Sequence, residues 1–96
     1  QILENFGAVS AQCVEAMARG AMDLSGADYA LAISGIAGPD GGSEQKPVGT
    51  VFIAVSSSSG VISSRLLLSG DRDYIRTQSV LHAYTLLLRS HPELCK

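Results

Sequence analysis

An apolar run that leads directly into a glycine-rich segment constrains this chain more than any other feature. Residues 29–33 read Tyr-Ala-Leu-Ala-Ile, and the nine residues from Ser34 to Gly42 contain four glycines and one proline. A short apolar run bounded by turn residues predicts a fully buried strand. Glycine permits positive φ and close approach of a ligand to the main chain, so such a junction can present backbone amides to an anion.

The segment that follows this strand is long for a simple connection. It extends over 15 residues, from Gly35 to Gly49, and loops of that length are usually functional or disordered. Neither G-x-x-x-x-G-K-[ST] nor G-x-G-x-x-G occurs in it, so it is not a familiar phosphate motif. The glycine pattern alone leaves two interpretations open, an anion-binding loop or a long surface turn.

The rest of the chain predicts the element order α-β-β-β-α. Ser10 is expected to cap the first helix, Gly26 to end it, and Ser69 or Asp71 to cap the last. A polar turn at 56–60 is expected to join the last two strands as an antiparallel hairpin, with its serines solvated. The predicted elements are helix 11–24, strands 29–34, 50–55 and 61–68, and helix 71–89. The expected apolar faces are Val14, Met17, Ala18, Ala21 and Met22, and Ile75, Ser79, Val80, Ala83, Tyr84, Leu87 and Leu88.

Composition predicts one small globular domain. The 96 residues are 46% hydrophobic with a net charge of −2, which argues against nucleic acid as a main partner. No apolar stretch reaches the roughly 18 residues that span a bilayer, and no signal peptide is visible. Cys13 is expected in the core and Cys95 in a tail at 89–96, which favours a cytoplasmic location. No group of side chains suggests a metal or a cofactor.

Five short segments in a fixed order carry a resemblance to a known family. They are Gly7-Ala8-Val9-Ser10, the segment 34–42, Lys46-Pro47-Val48-Gly49-Thr50-Val51, Ser69-Gly70-Asp71-Arg72 and Ile75-Arg76. From Gly7 to about Leu88 the chain closely resembles the C-terminal domain of the competence/damage-inducible protein A family. The resemblance implies an α/β fold, an αβα sandwich with a mixed sheet, of which residues 1–96 are a single partial domain covering roughly the last three-fifths.

The same resemblance implies an activity and identifies what this sequence lacks. Stand-alone family members are nicotinamide mononucleotide deamidases, in which a serine activated by a lysine attacks the carboxamide. Those two residues lie in an Ala-Glu-Ser-Cys-Thr-Gly-Gly segment and a Tyr-Ser-Asn-x-x-Lys segment, and neither occurs here. The chain is therefore expected to supply the substrate-binding half, as a fragment, a truncated product or part of a longer protein. A homodimer is also expected.

The candidate site residues come mainly from the glycine-rich segment. Ser34 can satisfy a local backbone group, but family members carry serine or threonine here beside the substrate, which implies a supporting catalytic role. Asp40 can cap a turn or contact a ribose hydroxyl. The glycines expected to shape the pocket and offer amides to a phosphate or oxyanion are Gly35, Gly38, Gly41 and Gly42.

Three cations complete the predicted site. Lys46 can meet a phosphate or remain a solvated loop charge. Arg72 and Arg76 share a helix face at a helix N-terminus, where the dipole does not favour cations, so they either grip an anion or pair with nearby carboxylates. The resemblance implies an arginine here in the substrate site, with Arg72 favoured. His82 is expected to be structural, and His91 to be exposed.

Other possibilities remain open from the sequence. A chain that keeps the pocket but lacks the nucleophile could be a non-catalytic nucleotide-binding or regulatory module. It could also be an inactive paralogue or an assembly element. Finally, Ser34 could itself be the nucleophile, although no base is visible beside it.

Overall fold

The fold is an α-β-β-β-α arrangement, as the sequence predicts. A computed structural model describes residues 10–35 and 48–95. A short 3₁₀ helix, Pro92–Cys95, follows the last α-helix. The main elements are helix α1 (Ala11–Ser25), strands β1 (Tyr29–Gly35), β2 (Thr50–Ser57) and β3 (Gly60–Leu67), and helix α2 (Arg72–Ser90).

The three strands form one antiparallel sheet in the order β1-β2-β3. The predicted hairpin of β2 and β3 is confirmed, but its turn is tighter than expected, because pairing continues to Ser57 opposite Gly60. Ser56 and Ser57 therefore belong to β2 and are buried, so the expectation that they are solvated is wrong. The mixed sheet implied by the resemblance concerns the longer family domain.

The two helices cover opposite faces of the sheet, which confirms the αβα sandwich. Successive side chains of a strand point to opposite faces, so β2 supplies both cores. Its Phe52 and Ala54 pack with Val14 and Ala18 of α1. On the other face, Val51 and Ile53 pack with Ile75 and Ala83 of α2.

Strand β1 is less buried than its apolar sequence predicts. Ala32 is buried, whereas Leu31 and Ile33 are half-buried and Gly35 is exposed. Among the strands that the structure describes, β1 pairs with β2 alone and lies at the edge of the sheet. The expectation of a fully buried strand is wrong for this part of the chain, because a run that is apolar on both faces still needs a neighbour on each side to be covered.

The apolar faces of both helices are narrower than predicted. In α1 the buried residues are Cys13, Val14 and Ala18, so Cys13 is a core residue as expected. Met17 is exposed. Met22 is half-buried, and its sulfur accepts a hydrogen bond from the Ser56 hydroxyl at 3.6 Å. In α2 the buried residues are Ile75, Ser79 and Ala83, whereas the predicted core residues Val80, Tyr84 and Leu88 are exposed.

Helix ends follow the predicted capping residues. The Ser10 hydroxyl accepts a hydrogen bond from the Cys13 amide, and the Asp71 carboxylate accepts one from the Tyr74 amide at 2.8 Å. Helix α1 ends at Gly26, which adopts the left-handed conformation expected of a C-terminal glycine. Among the described helices, none combines the length and the apolar character that a membrane crossing needs.

The segment after α2 folds back on the start of β1. The Tyr29 hydroxyl donates to the Glu93 carboxylate at 2.8 Å, and the ring of His91 meets the ring of Tyr29 edge to face at 4.8 Å. His91 Nδ1 also lies 3.4 Å from Glu93, and the histidine side chain is 14% exposed. The expectation of an exposed His91 is therefore wrong, because Tyr29 supplies a ring for it to pack against.

We predict that Gly49 tolerates no side chain. It has a φ of 96°, and a Cβ there would collide with the carbonyl of Leu68, whose amide donates to Gly49 at 2.9 Å. Gly49→Ala is expected to lower the free energy of unfolding by about 2 kcal/mol or more. Gly20→Ala is the matched control, since a Cβ at that helical position meets nothing within 4 Å. It should stabilise the chain by about 0.5–1 kcal/mol, and equal effects of the two in urea denaturation would contradict this account.

A second prediction concerns pH. The backbone amide and then the Tyr29 hydroxyl lower the pKa of Glu93, and that same hydrogen bond raises the pKa of Tyr29 above 10.0. The contribution of Glu93 is therefore complete above its unfolded pKa of 4.5 and is lost as the pH falls through the lowered value. The contribution of Tyr29 is complete below pH 10.0 and is lost as the pH rises through the raised value.

Replacement of either residue should reduce the dependence of stability on pH at the acid end, at the alkaline end or at both. Tyr29→Phe is expected to weaken the loss of stability at acid pH and to remove the loss at alkaline pH. Glu93→Gln keeps an acceptor for the hydroxyl and should remove the acid dependence alone. The measurement is the free energy of unfolding of each variant across the pH range, and a pH-independent difference for Tyr29→Phe would contradict the assignment.

Candidate functional site

One end of the sheet gathers the chain segments that the sequence predicts at the site. Gly35, the last residue of β1, pairs with Val51 at the start of β2, and Thr50 pairs with Leu67 at the end of β3. Helix α2 begins a few residues later, at Arg72. The described residues on either side of residues 36–47, Gly35 and Val48, therefore lie at this same end.

Helix α1 also begins at this end. It runs to Ser25 and is followed, after three residues, by the start of β1, so it runs antiparallel to that strand. Ala11, in its first turn, packs on the cluster that contains Phe52, and Phe52 pairs with Ser34 near the end of β1. Both helices thus direct their N-terminal amides, with their partial positive charge, towards the end of the sheet where the glycine-rich segment begins.

A pocket of about 250 Å³ lies between α2 and the sheet at this end. Its walls are mostly apolar, and Arg76 is the charged residue among the described residues that line it. Ser79 contributes no free donor, because its hydroxyl already donates to the Ile75 carbonyl at 2.7 Å. An apolar wall with one guanidinium suits a flat ring joined to an anionic group. The lining residues are Ile33, Gly35, Val51, Ile75, Arg76, Ser79 and Val80.

Gly35 is needed for packing at the rim of this pocket. A Cβ at this position would lie 2.9 Å from Cγ2 of Val51 and 3.0 Å from the Thr50 carbonyl oxygen. A side chain here would push β2 away or occupy the pocket. The structure therefore gives Gly35 a steric reason to be glycine that does not depend on a ligand, and it brings Gly35 and Arg76 together as the sequence predicts.

Ser34 lies on the opposite face of the sheet from Arg76. Ala32 packs against α1 and Ile33 against the α2 cluster, and side chains two apart along a strand share a face. The Ser34 side chain is therefore on the α1 face, where it is half-buried next to Phe52 in the neighbouring strand. A ligand that contacts both Ser34 and Arg76 must extend across the end of the sheet.

The other residues considered from the sequence do not line this pocket among the described residues, or they lie outside the described part of the chain. Arg72 is exposed at the first position of α2, one turn before Arg76, and is not among the described residues lining the pocket. His82 is exposed on α2. The remaining predicted residues, Gly38, Asp40, Gly41, Gly42 and Lys46, lie outside the described residues.

Arg65 is a further cation at this end, and it was not predicted from the sequence. Its guanidinium lies 5.9 Å from the centre of the Phe52 ring, within the range of a cation–π contact. Arg65 and Ser34 are both paired with Phe52, from opposite sides, so the three side chains form a row across the α1 face. Strand alternation combined with the register would have placed Arg65 on this face, but the register follows only once the hairpin turn is known.

The described residues whose pKa values are shifted lie away from this end of the sheet. Tyr29 and Glu93, whose pKa values are shifted, sit at the start of β1, which is the opposite end of the sheet from Gly35. In the ranges 10–35 and 48–95, no three His, Cys, Asp or Glu side chains are grouped as a metal site would require. Among the residues that the structure describes, those lining the pocket or forming the row of side chains around Phe52 offer hydroxyl, guanidinium and backbone amide groups.

Comparison with known proteins identifies the family. The sequence profile of the CinA C-terminal domain matches residues 1–91. This chain belongs to the CinA C-terminal domain family. It is 52% identical over 89 residues to a CinA-like protein of Fervidobacterium nodosum, and 54% identical over 83 residues to the nicotinamide-nucleotide amidohydrolase PncC of Pseudomonas putida.

Solved structures of CinA proteins share the fold. The competence/damage-inducible protein CihA from Agrobacterium tumefaciens superimposes with a TM-score of 0.87 at 41% identity, over 92% of this chain and 55% of that one. A CinA superfamily protein from Enterobacter cloacae gives a TM-score of 0.86 at 37% identity.

The chain is short relative to these proteins. It spans 52% of the length of the Pseudomonas putida amidohydrolase and 22% of that of the Fervidobacterium nodosum protein. About half of each matched CinA structure likewise lies outside the alignment, since 55% and 53% of the two chains are covered.

We predict that Ser34 and Arg76 are energetically independent until a ligand joins them. They lie on opposite faces of the sheet, so the effects of Ser34→Ala and Arg76→Ala on unfolding should add within about 0.3–0.5 kcal/mol. A ligand that crosses the end of the sheet would couple them. The double-mutant cycle is measured by urea denaturation of the free protein. Strong coupling in the free protein would contradict the two-face placement.

Proposed function

We propose that this chain is the substrate-binding half of an amidohydrolase that converts nicotinamide mononucleotide to nicotinate mononucleotide and ammonia. The observation that carries the proposal is its 54% identity to the nicotinamide-nucleotide amidohydrolase of Pseudomonas putida. The pocket between β1, β2 and α2 supports it, because the pocket combines apolar walls with the Arg76 guanidinium.

The chemistry of the substrate suits the end of the sheet. Nicotinamide mononucleotide has a flat ring, a carboxamide and a phosphate. Ile33, Val51 and Val80 offer apolar contact to a ring, and Arg76 can bind an oxyanion through paired N–H donors. Arg72, one helical turn earlier, can add a second cation on the same side of the helix.

The reaction itself is an acyl transfer. A hydroxyl oxygen adds to the carboxamide carbon as its proton passes to a base, and the C–N bond breaks as the nitrogen gains a proton and leaves as ammonia. Water then adds to the acyl group, supplies the second carboxylate oxygen and releases the hydroxyl. Because the family's serine and lysine segments are absent from these 96 residues, the nucleophile and base must come from outside this sequence.

Ser34 is the hydroxyl that we assign to the reaction from the described part of this chain. It ends the row of side chains on the α1 face and is half-buried one residue before the rim of the pocket. In the proposed site it donates to the carboxamide oxygen or to the attacking hydroxyl, in a supporting role. Backbone amides near Gly35 are candidates to stabilise the oxyanion, in which one lost donor typically costs about 10²–10³ in rate.

A non-catalytic nucleotide-binding module is the second candidate function. The observation that favours it is that Arg76, the charged side chain among the described residues lining the pocket, is a binding group and not a base. Such a module would bind the nucleotide at the same end of the sheet and release no ammonia under any condition.

Binding tests the site shared by both functions. Arg76→Gln is expected to weaken binding of nicotinamide mononucleotide about 10- to 100-fold, since a hydrogen bond to a charged group contributes about 1.5–3 kcal/mol. Arg89→Gln is the matched control, because Arg89 lies in the last turn of the same helix, away from the pocket. Isothermal titration calorimetry gives the dissociation constants, and equal effects of the two substitutions would contradict the site.

Turnover then separates the two functions. Ammonia release is measured for the 96-residue chain and for the chain extended at its N-terminus with the family's Ala-Glu-Ser-Cys-Thr-Gly-Gly and Tyr-Ser-Asn-x-x-Lys segments. The amidohydrolase proposal predicts release by the extended protein. Tight binding with no release by the extended protein would support the binding module instead. Full activity of the 96-residue chain, abolished by Ser34→Ala, would make Ser34 the nucleophile.

A further inference from the structure

Two cations near the candidate site lie on opposite faces of the sheet. Arg76 lines the pocket on the α2 face. Arg65 belongs to the row on the α1 face, because Ser34 pairs with Phe52 and Phe52 pairs with Arg65. A ligand that has two acidic groups and lies across the end of the sheet can therefore meet a different guanidinium with each group.

The Arg65 guanidinium is positioned over the neighbouring strand. Its central carbon, Cζ, lies 5.9 Å from the centre of the Phe52 ring, and this contact restricts a long side chain. The ring is itself fixed, because Phe52 is buried against Val14 of α1. Neighbouring strands lie about 4.8 Å apart, so a guanidinium over Phe52 is about one strand away from Ser34. Arg65 is exposed, so a solute can reach it.

The row of Ser34, Phe52 and Arg65 contains one charge, and that charge is positive. The carboxylate of Glu15 is on the same face, but it accepts a hydrogen bond from Ser63, which lies two residues further from the end of β3. The row therefore offers a hydroxyl and a guanidinium about two strands apart with an aromatic ring between them. This arrangement suits a small anionic group on a ligand.

The proposed reaction creates such a group. The neutral carboxamide and one water become a carboxylate and an ammonium ion, as the C–N bond breaks and water supplies the second carboxylate oxygen. Substrate and product share the ring, the ribose and the phosphate, and they differ at this group alone. A guanidinium can pair both of its parallel N–H donors with a carboxylate, whereas a carboxamide offers it one neutral oxygen.

We propose that Arg65 binds the reacting group of the nucleotide and selects the carboxylate product over the carboxamide substrate. The phosphate then lies at Arg76 on the α2 face, and the reacting group lies between Ser34 and Arg65 on the α1 face. The choice of nucleotide rests on the proposed function. Recognition of an aromatic carboxylate by Ser34 and Arg65 does not.

Calorimetric titration with both nucleotides tests the assignment. The 96-residue chain is expected to bind nicotinate mononucleotide about three- to tenfold more tightly than nicotinamide mononucleotide. Arg65→Gln should remove this preference, whereas Arg76→Gln should weaken both nucleotides equally, because they share the phosphate. Arg19→Gln is the matched control, since it removes a positive charge from an exposed position more than two turns into α1. It should leave the preference unchanged.

A second measurement needs no substitution and no phosphate. Nuclear magnetic resonance follows the Arg65 Nε–H group and the Ser34 amide of the labelled chain during titration with nicotinate and, separately, with nicotinamide. We expect nicotinate to shift both signals and nicotinamide to shift them less. Circular dichroism checks that Arg65→Gln keeps the fold, as its exposed position predicts.

The outcomes separate this assignment from the proposed function. If both nucleotides bind and Arg76→Gln weakens them, the binding site stands. The assignment of Arg65 is then overturned if Arg65→Gln leaves the preference intact, or if it weakens both nucleotides equally, which would place the phosphate at Arg65. If neither nucleotide binds but nicotinate shifts Arg65 and Ser34, the carboxylate site stands and the proposed function fails. An absence of both binding and shifts rejects both.

Discussion

Strand β2 is the element on which the rest of the structure depends. Each of its eight residues, Thr50–Ser57, is buried, with a described strand on each edge and a helix on each face. Its side chains alternate between the two cores, so Phe52 and Ala54 hold α1 while Val51 and Ile53 hold α2. A shift of one residue in its register would exchange these two sets. The close fit of Gly35 and Gly49 to their neighbours also depends on that register.

The alternation of β2 and its neighbours decides how the candidate site is divided. The row of Ser34, Phe52 and Arg65 lies on the α1 face, and the pocket with Arg76 lies on the α2 face. The two groups approach each other where the strands end and the glycine-rich segment begins. A substrate with a reactive amide at one end and a phosphate at the other can use both groups if it lies across that end, which fits the proposed nucleotide.

Local signals in the sequence predicted the elements well, while burial depended on contacts that local signals do not contain. Ser10, Gly26 and Asp71 mark helix ends through their own backbone hydrogen bonds or dihedral angles, so they could be identified directly. The half-burial of Ile33 and the exposure of Val80 and Tyr84 could not be identified in this way, because an apolar residue gives the same sequence pattern whether or not a neighbouring segment covers it. The position of Arg72 and Arg76 at a helix start made both candidates, with Arg72 favoured, and only the packing of α2 on the sheet places Arg76 and not Arg72 among the described residues lining the pocket. Placing Arg65 required the register of β3.

The most direct test of the account is a nuclear magnetic resonance titration of the ¹⁵N-labelled chain with nicotinamide mononucleotide, following each backbone amide. The account predicts saturable shifts concentrated at the end of the sheet, at Gly35, Val51, Arg76 and Ser79 on one face and at Ser34 and Arg65 on the other. Shifts confined to the opposite end, around Tyr29 and Glu93, would contradict it. An absence of shifts at millimolar nucleotide would do the same.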